Sequence, residues 1–545
     1  MSLKSMSIPP VPAETARVAR AVFPRGNALM QLRDTLGTIY TDEQFADLFP
    51  SHGQPAEAPW RLALVTMFQF MEHLTDRQAA DAVRSRLDWK YALSLELTDP
   101  GFDHTVLSEF RSRLVQGNAE ERLLDLLLQR CQEGGWLKAR GRQRTDSTHV
   151  LAKIRALNRV LCVAQTMVYV LNVLAEVAPE WVRAYVPVEW VERYGERLEH
   201  ERLPKEEEER KHYANQVGAD GWTLLHALDA PSTADWLKTL PAVTTLRTIW
   251  EHQFEPQEKG GQWRLEPALP AAQLINSPYD LDARYGKKRT TLWVDYKVHV
   301  SETCHEDAPQ LITHVETTRA GINDERALSA IHDGLAEKDL LPAQHLVDAG
   351  YVDAANLLQS QHHYGVDLLG PVRHNYWWQA DTDFDVTHFS IDWQAQTVTC
   401  PHDRISSSWT PAQDGKGHPV IKIKFSQSDC KVCSDRTSCT GQTRRTLTLQ
   451  PQDKMQALLA ARKRETTEAF KESYRHRAGI EGTHSRGTRT MGLRRSRYFG
   501  LQKTHLGHVA IATAINVMQL MSWLRGEASA QTRTSPFKRV MKPAA

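Results

Sequence analysis

Nothing in this chain reads as a clean membrane span. The best apolar stretch, residues 161–178, is broken by Gln165, Thr166, Asn172 and Glu176, and a buried helix is the expected outcome. The opening segment "MSLKSMSIPPVPAETARVARAVF" lacks the continuous apolar core of a secretory signal. Cysteine is scarce, with seven in 545 residues, and without an export signal the expected setting is the reducing cytoplasm, where disulfides are rare. The chain also lacks a glycine-rich phosphate loop, a Ser-His-Asp order of the hydrolase kind and any short internal repeat. Those absences argue against nucleotide-loop enzymes, serine hydrolases and solenoids. What remains is an ordinary soluble composition, 41% apolar and 24% charged, on a chain long enough for several domains.

Net charge is nearly absent too, at +1, but its distribution is lopsided. Residues 451–545 carry 18 Lys and Arg against six Asp and Glu, so the rest of the chain is net negative. Within that region "SRGTRTMGLRRSRYFG" interleaves arginine with aromatic residues, a pattern suited to a polyanion. Arg494, Arg495 and Arg497 are candidate phosphate clamps, Lys503 extends the basic stretch, and Tyr498 is a candidate stacking surface. The bland alternative is a solvated helix face.

Three acidic residues stand in informative settings. Asp146 in "RQRTDSTHVLA" and Asp348 in "AQHLVDAGYVD" look like strand ends, with β-compatible residues leading into each Asp. Glu481 lies in "YRHRAGIEGTHSRGT", where Tyr474, Arg477, Glu481 and Thr488 are spaced by 3, 4 and 7 and would share one face of a helix. Three carboxylates from distant segments supply oxygen ligands for Mg²⁺ or Mn²⁺. Two such ions can activate water and stabilise the leaving oxygen of a phosphodiester. His149 follows Asp146 by three residues, and an alternating strand position accounts for it as well as catalysis does.

The pattern along the chain predicts mixed α/β architecture. Residues 1–138 read as all-α, with Thr75 and Asp76 as cap candidates and Arg84, Arg86, Arg111 and Arg113 as exposed bases of a helix-turn-helix reader or of a plain bundle. Residues 139–151 and 287–372 read as a core of strands and helices, interrupted by a helical insertion at 152–286. Residues 373–452 form a second, β-rich insertion, 453–525 a C-terminal helical and basic region, and 526–545 a disordered tail.

The second insertion holds Cys400, Cys430, Cys433 and Cys439, with His402 as a spare ligand. One Cys-x2-Cys pair plus two further cysteines has four-ligand stoichiometry, so one structural Zn²⁺ is the candidate and small buried thiols the alternative. Trp377, Trp378, Trp393 and Trp409 read as core. Cys131, Cys162 and Cys304 lack metal-like spacing and also read as core.

On "RTDSTHV", "HLVDAGYVD" and the Tyr-x2-Arg-x3-Glu run, with "FDHTVLSEFRSRL", "VDYKVHVSETC" and "LRRSRYFGLQKTHL" as further support, the chain resembles the DDE transposases of bacterial insertion sequences. The resemblance implies an RNase H-like core with a mixed five-stranded sheet flanked by helices, and two divalent ions held by Asp146, Asp348 and Glu481. It implies that Tyr474 and Arg477 orient Glu481 and the scissile phosphate. A Lys usual in that family seven residues after the Glu is replaced here by Thr488, with Arg489 the candidate substitute. The implied partners are double-stranded DNA, as transposon ends and target, and a second copy of the chain in a synaptic dimer on the nucleoid. Two other readings fit the same residues: a metal-dependent nuclease that does not join strands, and a domesticated DNA-binding protein without catalysis.

Overall fold

The computed structural model describes residues 2–527 except 5–6, 154–157, 197–202, 205, 257–260, 271–272, 289–290, 374–381 and 416. The expected disordered tail and the Trp377–Trp378 pair therefore lie almost wholly or wholly outside the described residues. The chain divides into two compact units. The first comprises 1–138, 146–323 and 479–545, and the second 139–145 and 324–478.

The first unit opens with helices α1 (Ala13–Val22), α2 (Ala28–Leu36), α3 (Pro59–Met71), α4 (Asp76–Ser85), α5 (Leu87–Ala92), α6 (Thr105–Gln116) and α7 (Arg122–Glu133). Thr75 starts α4 through a full capping box with Gln78, which satisfies two otherwise orphaned N–H groups. Strand β1 (Arg142–Leu151) follows and runs through the boundary between the units. The helical insertion comprises α8 (Arg159–Val177), α9 (Pro179–Tyr185), α10 (Trp190–Tyr194), α11 (Glu207–Asp229), α12 (Asp235–Lys238) and α13 (Pro241–Gln253). Its own apolar core includes Leu161, Val170, Leu224, Leu246 and Trp250. Among the described residues only α8 is long and apolar enough to cross a membrane, and more than half of that stretch is buried.

Strands β2 (Arg284–Lys288), β3 (Thr291–Thr303) and β4 (Ile312–Arg319) complete the first unit's sheet, in the order β2-β3-β1 with β4 also paired to β3. Both β2 and β4 run antiparallel to β3. The sequence pattern did not foretell β2, because "RYGKK" is polar and carries a glycine.

The second unit contains α14 (Asp324–Glu337), followed by strand β5 (Gln344–Leu346), α15 (Ala354–His362) and strand β6 (Asp367–Leu369). The first residues of β1 pair with β5 in parallel, as β5 does with β6. The β-rich insertion holds β7 (Ser390–Asp392), β8 (Thr397–Thr399), β9 (Ser408–Gln413), β10 (Pro419–Lys424), α16 (Gln427–Lys431), α17 (Arg436–Cys439) and β11 (Thr446–Leu449). Two antiparallel sheets, β7-β8 and β9-β10-β11, surround a core that among the described residues has six buried apolar side chains, including Val398, Ile423 and Phe425. Helices α18 (Gln452–Glu465) and α19 (Glu468–Tyr474) end this unit with a 3₁₀ turn, Arg475–Gly479.

Helices α20 (Ile480–Thr490) and α21 (Leu501–Leu524) return to the first unit. Residues Thr504 and Leu506–Val517 of α21 are buried, and the helix packs on β4, α3, α7 and α6. Each fully buried Ile or Leu there contributes about 1.5–3 kcal/mol. Asn516 seals the contact by accepting from Ile312 N and donating to Ile312 O, each at 2.7 Å. The N-terminal helices thus share their core with α21 instead of forming a body of their own.

Candidate functional site

In the first unit Asp146 sits inside β1, not at a strand end, because Thr148, His149 and Val150 extend the β-compatible run beyond it. It is 9% exposed, and its Oδ1 accepts from Ser147 N at 2.9 Å. Side chains alternate along a strand, so Thr148 shares the Asp146 face and His149 takes the other. Thr148 Oγ1 accepts from Arg494 Nε at 2.8 Å. The backbone bonds Leu151 N to Arg494 O and Ser496 N to Leu151 O, both 2.9 Å, hold residues 494–496 along the end of β1.

Glu481 is exposed in the first turn of α20, where the helix dipole favours a carboxylate. The helix is fastened two residues on, where Thr483 Oγ1 donates to Glu302 Oε2 at 2.5 Å. Glu302, on β3, is fully buried. Arg489, Arg494, Arg495 and Lys503 are exposed. Thr488 Oγ1 is buried and makes no hydrogen bond among the described residues.

Arg497 and Tyr498 are placed differently from their exposed neighbours. Arg497 donates to Leu74 O at 2.5 Å, contacts His73 Nδ1, and lies over the Phe70 ring at 5.0 Å. The Arg111 guanidinium lies 5.5 Å over Tyr498, and Arg111 Nη2 donates to Asp76 Oδ2 at 2.5 Å. Burial pushes the Tyr498 phenol up. Its ring is part of an interior network and not an open stacking surface. Of the four bases expected to be exposed in the N-terminal helices, Arg84 is exposed and holds Asp81 and Pro100 O, whereas Arg86 is half-buried and holds Glu72 and Asp88. Arg111 is buried, and Arg113 donates to Leu48 O at 3.2 Å while lying over Phe49. Carbonyls and carboxylates at the helix ends take up these guanidinium donors.

In the second unit Asp348 occupies the turn after β5, half-buried, with Oδ1 accepting from Gly350 N at 2.8 Å. A Cβ on Gly350 would stand 2.9 Å from Asp348 Oδ1 and 3.0 Å from Asp324 Oδ2, so a side chain there would crowd two carboxylates. Arg373 braces the turn by donating to Ala349 O and Gly350 O and pairing with Glu325 at 2.6 Å. The β1–β5 ladder pairs Arg144 with Leu346. Asp146 follows Arg144, and Asp348 follows Leu346, by the same two residues. Behind the ladder, His345 Nε2 lies 2.6 Å from Thr145 Oγ1, and its Nδ1 lies 2.9 Å from His332 Nε2. Burial drives the His345 imidazole well below its ordinary range and His332 down to about 4.

Tyr474 closes α19, stacked on Phe470 with ring centroids 5.3 Å apart, and Arg477 lies in the 3₁₀ turn. The expected single helical face through Tyr474, Arg477, Glu481 and Thr488 is therefore interrupted. Glycine at 479 and 482 weakens helix propensity on either side of Glu481, and the tighter 3₁₀ turn changes the angular step between residues.

Cys400, Cys430, Cys433 and Cys439 line one cavity of about 270 Å³, with His402 and Arg445. Burial raises the Cys439 thiol, Arg445 opposes that, and the thiols of Cys430, Cys400 and Cys433 add to the rise. Arg445 N donates to Cys430 Sγ at 3.5 Å, and His402 Nε2 is 2.8 Å from Asp435 Oδ2. Trp393 and Trp409 meet edge-on against the insertion's core. Cys131, Cys162 and Cys304 are buried elsewhere, and burial pushes the first two thiols up to about 12. Among the described residues no group of three or more His, Cys, Asp or Glu side chains is gathered closely enough to hold a metal ion.

Sequence reasoning missed the Arg494–Thr148 link, the Glu302 anchor, the Asp324–Gly350–Asp348 crowding and the His332–His345 pair. None has a local signal, since each depends on residues brought together by the fold.

Two family models match the chain. One, described as a transposase DDE domain, covers residues 399–521, including Glu481 and the four clustered cysteines. The other, a transposase domain (DUF772), covers residues 17–113 in the N-terminal helices. Asp146 and Asp348 lie outside both. No curated protein matches the chain.

Proposed function

Starting from a DDE transposase of the insertion-sequence type, which these two matches support, we propose that the enzyme binds the terminal inverted repeats of its element, cuts the strand at each end and joins the freed 3′-hydroxyl to target DNA. Asp146, Asp348 and Glu481 are the proposed ligands of two Mg²⁺ or Mn²⁺ ions, and three carboxylates are the donor set that hard divalent cations favour. When bound, such ions activate water and offset charge on the phosphate. Tyr474 and Arg477 are proposed to orient Glu481 and the DNA, and Arg489 to supply the cation that Thr488 cannot. The reading is carried by the β1–β5 register, in which the two Asp residues follow a paired Arg144 and Leu346 by the same step.

Arg495 and Lys503, both exposed, are proposed DNA phosphate contacts. Arg497 and Tyr498 would contribute by holding residues 492–500 against the N-terminal helices. The double-stranded ends call for a second copy of the chain in the synaptic complex, acting on the nucleoid in the cytoplasm. In the β-rich insertion, one structural Zn²⁺ on Cys400, Cys430, Cys433 and Cys439 is proposed. Four thiols lining one cavity beside a very small apolar core support it.

The test is incubation of purified protein with labelled duplexes carrying the element ends, Mg²⁺ and a target plasmid. Joined products are expected. Nicked ends without joined products would favour the strand-cutting nuclease, and end binding without cleavage would favour a domesticated protein.

A further inference from the structure

We propose that Arg494 is a catalytic residue of this reaction, gripping the non-bridging oxygens of the scissile phosphate beside Asp146, and not a member of the outer DNA track. The proposal rests on the transposase reading and assigns the residue a place within it. Its backbone is fixed first: Arg494 O accepts from Leu151 N, and Ser496 N donates to Leu151 O, so residues 494–496 lie along the end of β1. The side chain is fixed next, by Nε donating to Thr148 Oγ1 at 2.8 Å. Thr148 and Asp146 are two positions apart on one face of a strand, a separation of about 6.6–6.8 Å along the backbone.

The bond through Nε leaves both terminal amino groups of Arg494 without a hydrogen-bond partner among the described residues, on an exposed side chain. That remaining edge is the planar fork that binds two phosphate oxygens at once. Its neighbours differ in kind. Arg497 spends its donors on Leu74 O and His73, and Arg495, although its backbone bridges to Leu151, has an exposed side chain with no hydrogen bond to β1 among the described residues. A guanidinium held by a strand, one residue pair from a proposed metal ligand, is positioned to stabilise charge that grows on the phosphate as the bond breaks.

The experiment measures single-turnover cleavage at saturating DNA, together with binding affinity and its salt dependence, for wild type, Arg494→Ala, Arg494→Lys, Thr148→Val and Arg495→Ala. Arg494→Ala is expected to slow cleavage at saturation on the order of 10²-fold, with a far smaller effect on affinity. Arg494→Lys, which keeps the charge and the backbone bridge but loses the fork, should recover only part of the rate. Thr148→Val should fall between wild type and Arg494→Ala. Arg495→Ala should show its main loss in affinity and salt slope. Equal saturating rates for wild type and both Arg494 variants would overturn the assignment while leaving the transposase reading in place. A wild type inert toward every end sequence with Mg²⁺ and Mn²⁺ would sink both.

Discussion

His332 Nε2 and His345 Nδ1 lie 2.9 Å apart in the interior of the second unit, and the far nitrogen of His345 reaches the Thr145 hydroxyl, next in sequence to Asp146. As neutral rings the two histidines share one hydrogen bond, and His345 makes its other with Thr145, whose hydroxyl can donate or accept. Protonating both rings would set N–H against N–H across the 2.9 Å contact, and burial opposes each proton. The Asp333 carboxylate favours a protonated His332 but does not outweigh burial. Both imidazoles titrate below the unfolded value of 6.5, so between pH 6.5 and about 4 the unfolded chain takes up protons that the folded chain refuses. Stability is therefore complete above pH 6.5 and lost as pH falls, by up to about 1.4 kcal/mol per pH unit for each ring. His508, buried in the first unit and held down to about 3, acts in the same direction. Urea midpoints at pH 7.5 and 5.0 should differ accordingly, and less so in His345→Gln. A midpoint that stays flat across that window contradicts the buried neutral pair.

Two neighbouring arginines should fail in different ways. Arg497→Ala removes the bond to Leu74 O and the contact with Phe70, and should lower stability by about 1–3 kcal/mol with the DNA salt slope intact. Arg495→Ala should leave the melting temperature alone and flatten the slope of log affinity against log salt by about 0.9. Swapped phenotypes would reverse the two roles.

Zinc content is decided by elemental analysis of protein purified under reducing conditions. About one Zn²⁺ per chain is expected. Chelation should loosen residues 382–449 first, because binding energy at such a site is folding energy, and hydrogen exchange reads this directly. A metal content near zero would leave four partly buried thiols and no zinc site.

Gly350 offers a steric test of the Asp348 turn. Gly350→Ala places a methyl group 2.9–3.0 Å from oxygens of Asp348 and Asp324, so at least one carboxylate must shift. Cleavage should slow on the order of tenfold and need more Mg²⁺, with the melting temperature little changed. Wild-type metal dependence in this variant would show that the carboxylate position is not critical.

Much of this was legible because the signals are local. The strand that leads into Asp348, the helical insertion and the β-rich segment each follow a short-range apolar period. The break between α19 and α20 was not legible, since spacings of 3, 4 and 7 suit any helix and do not register a 3₁₀ turn at Arg475–Gly479. Nor could composition distinguish Arg494, Arg495 and Arg497, which differ only in partners: Thr148 lies 346 positions from the first, Leu74 lies 423 from the third. Basic residues in a run look alike until the fold chooses which of them it consumes.

The most direct measurement is Mg²⁺-dependent cleavage by Asp146→Asn, Asp348→Asn and Glu481→Gln, read beside gel-shift binding to the element ends. Each change keeps size and shape while removing one ligand charge. If the three carboxylates act as one metal-holding unit, each variant loses cleavage and strand transfer, retains binding, and the double variants are no worse than the singles. Cleavage near the wild-type rate by any one of the three removes that residue from the site and contradicts the account.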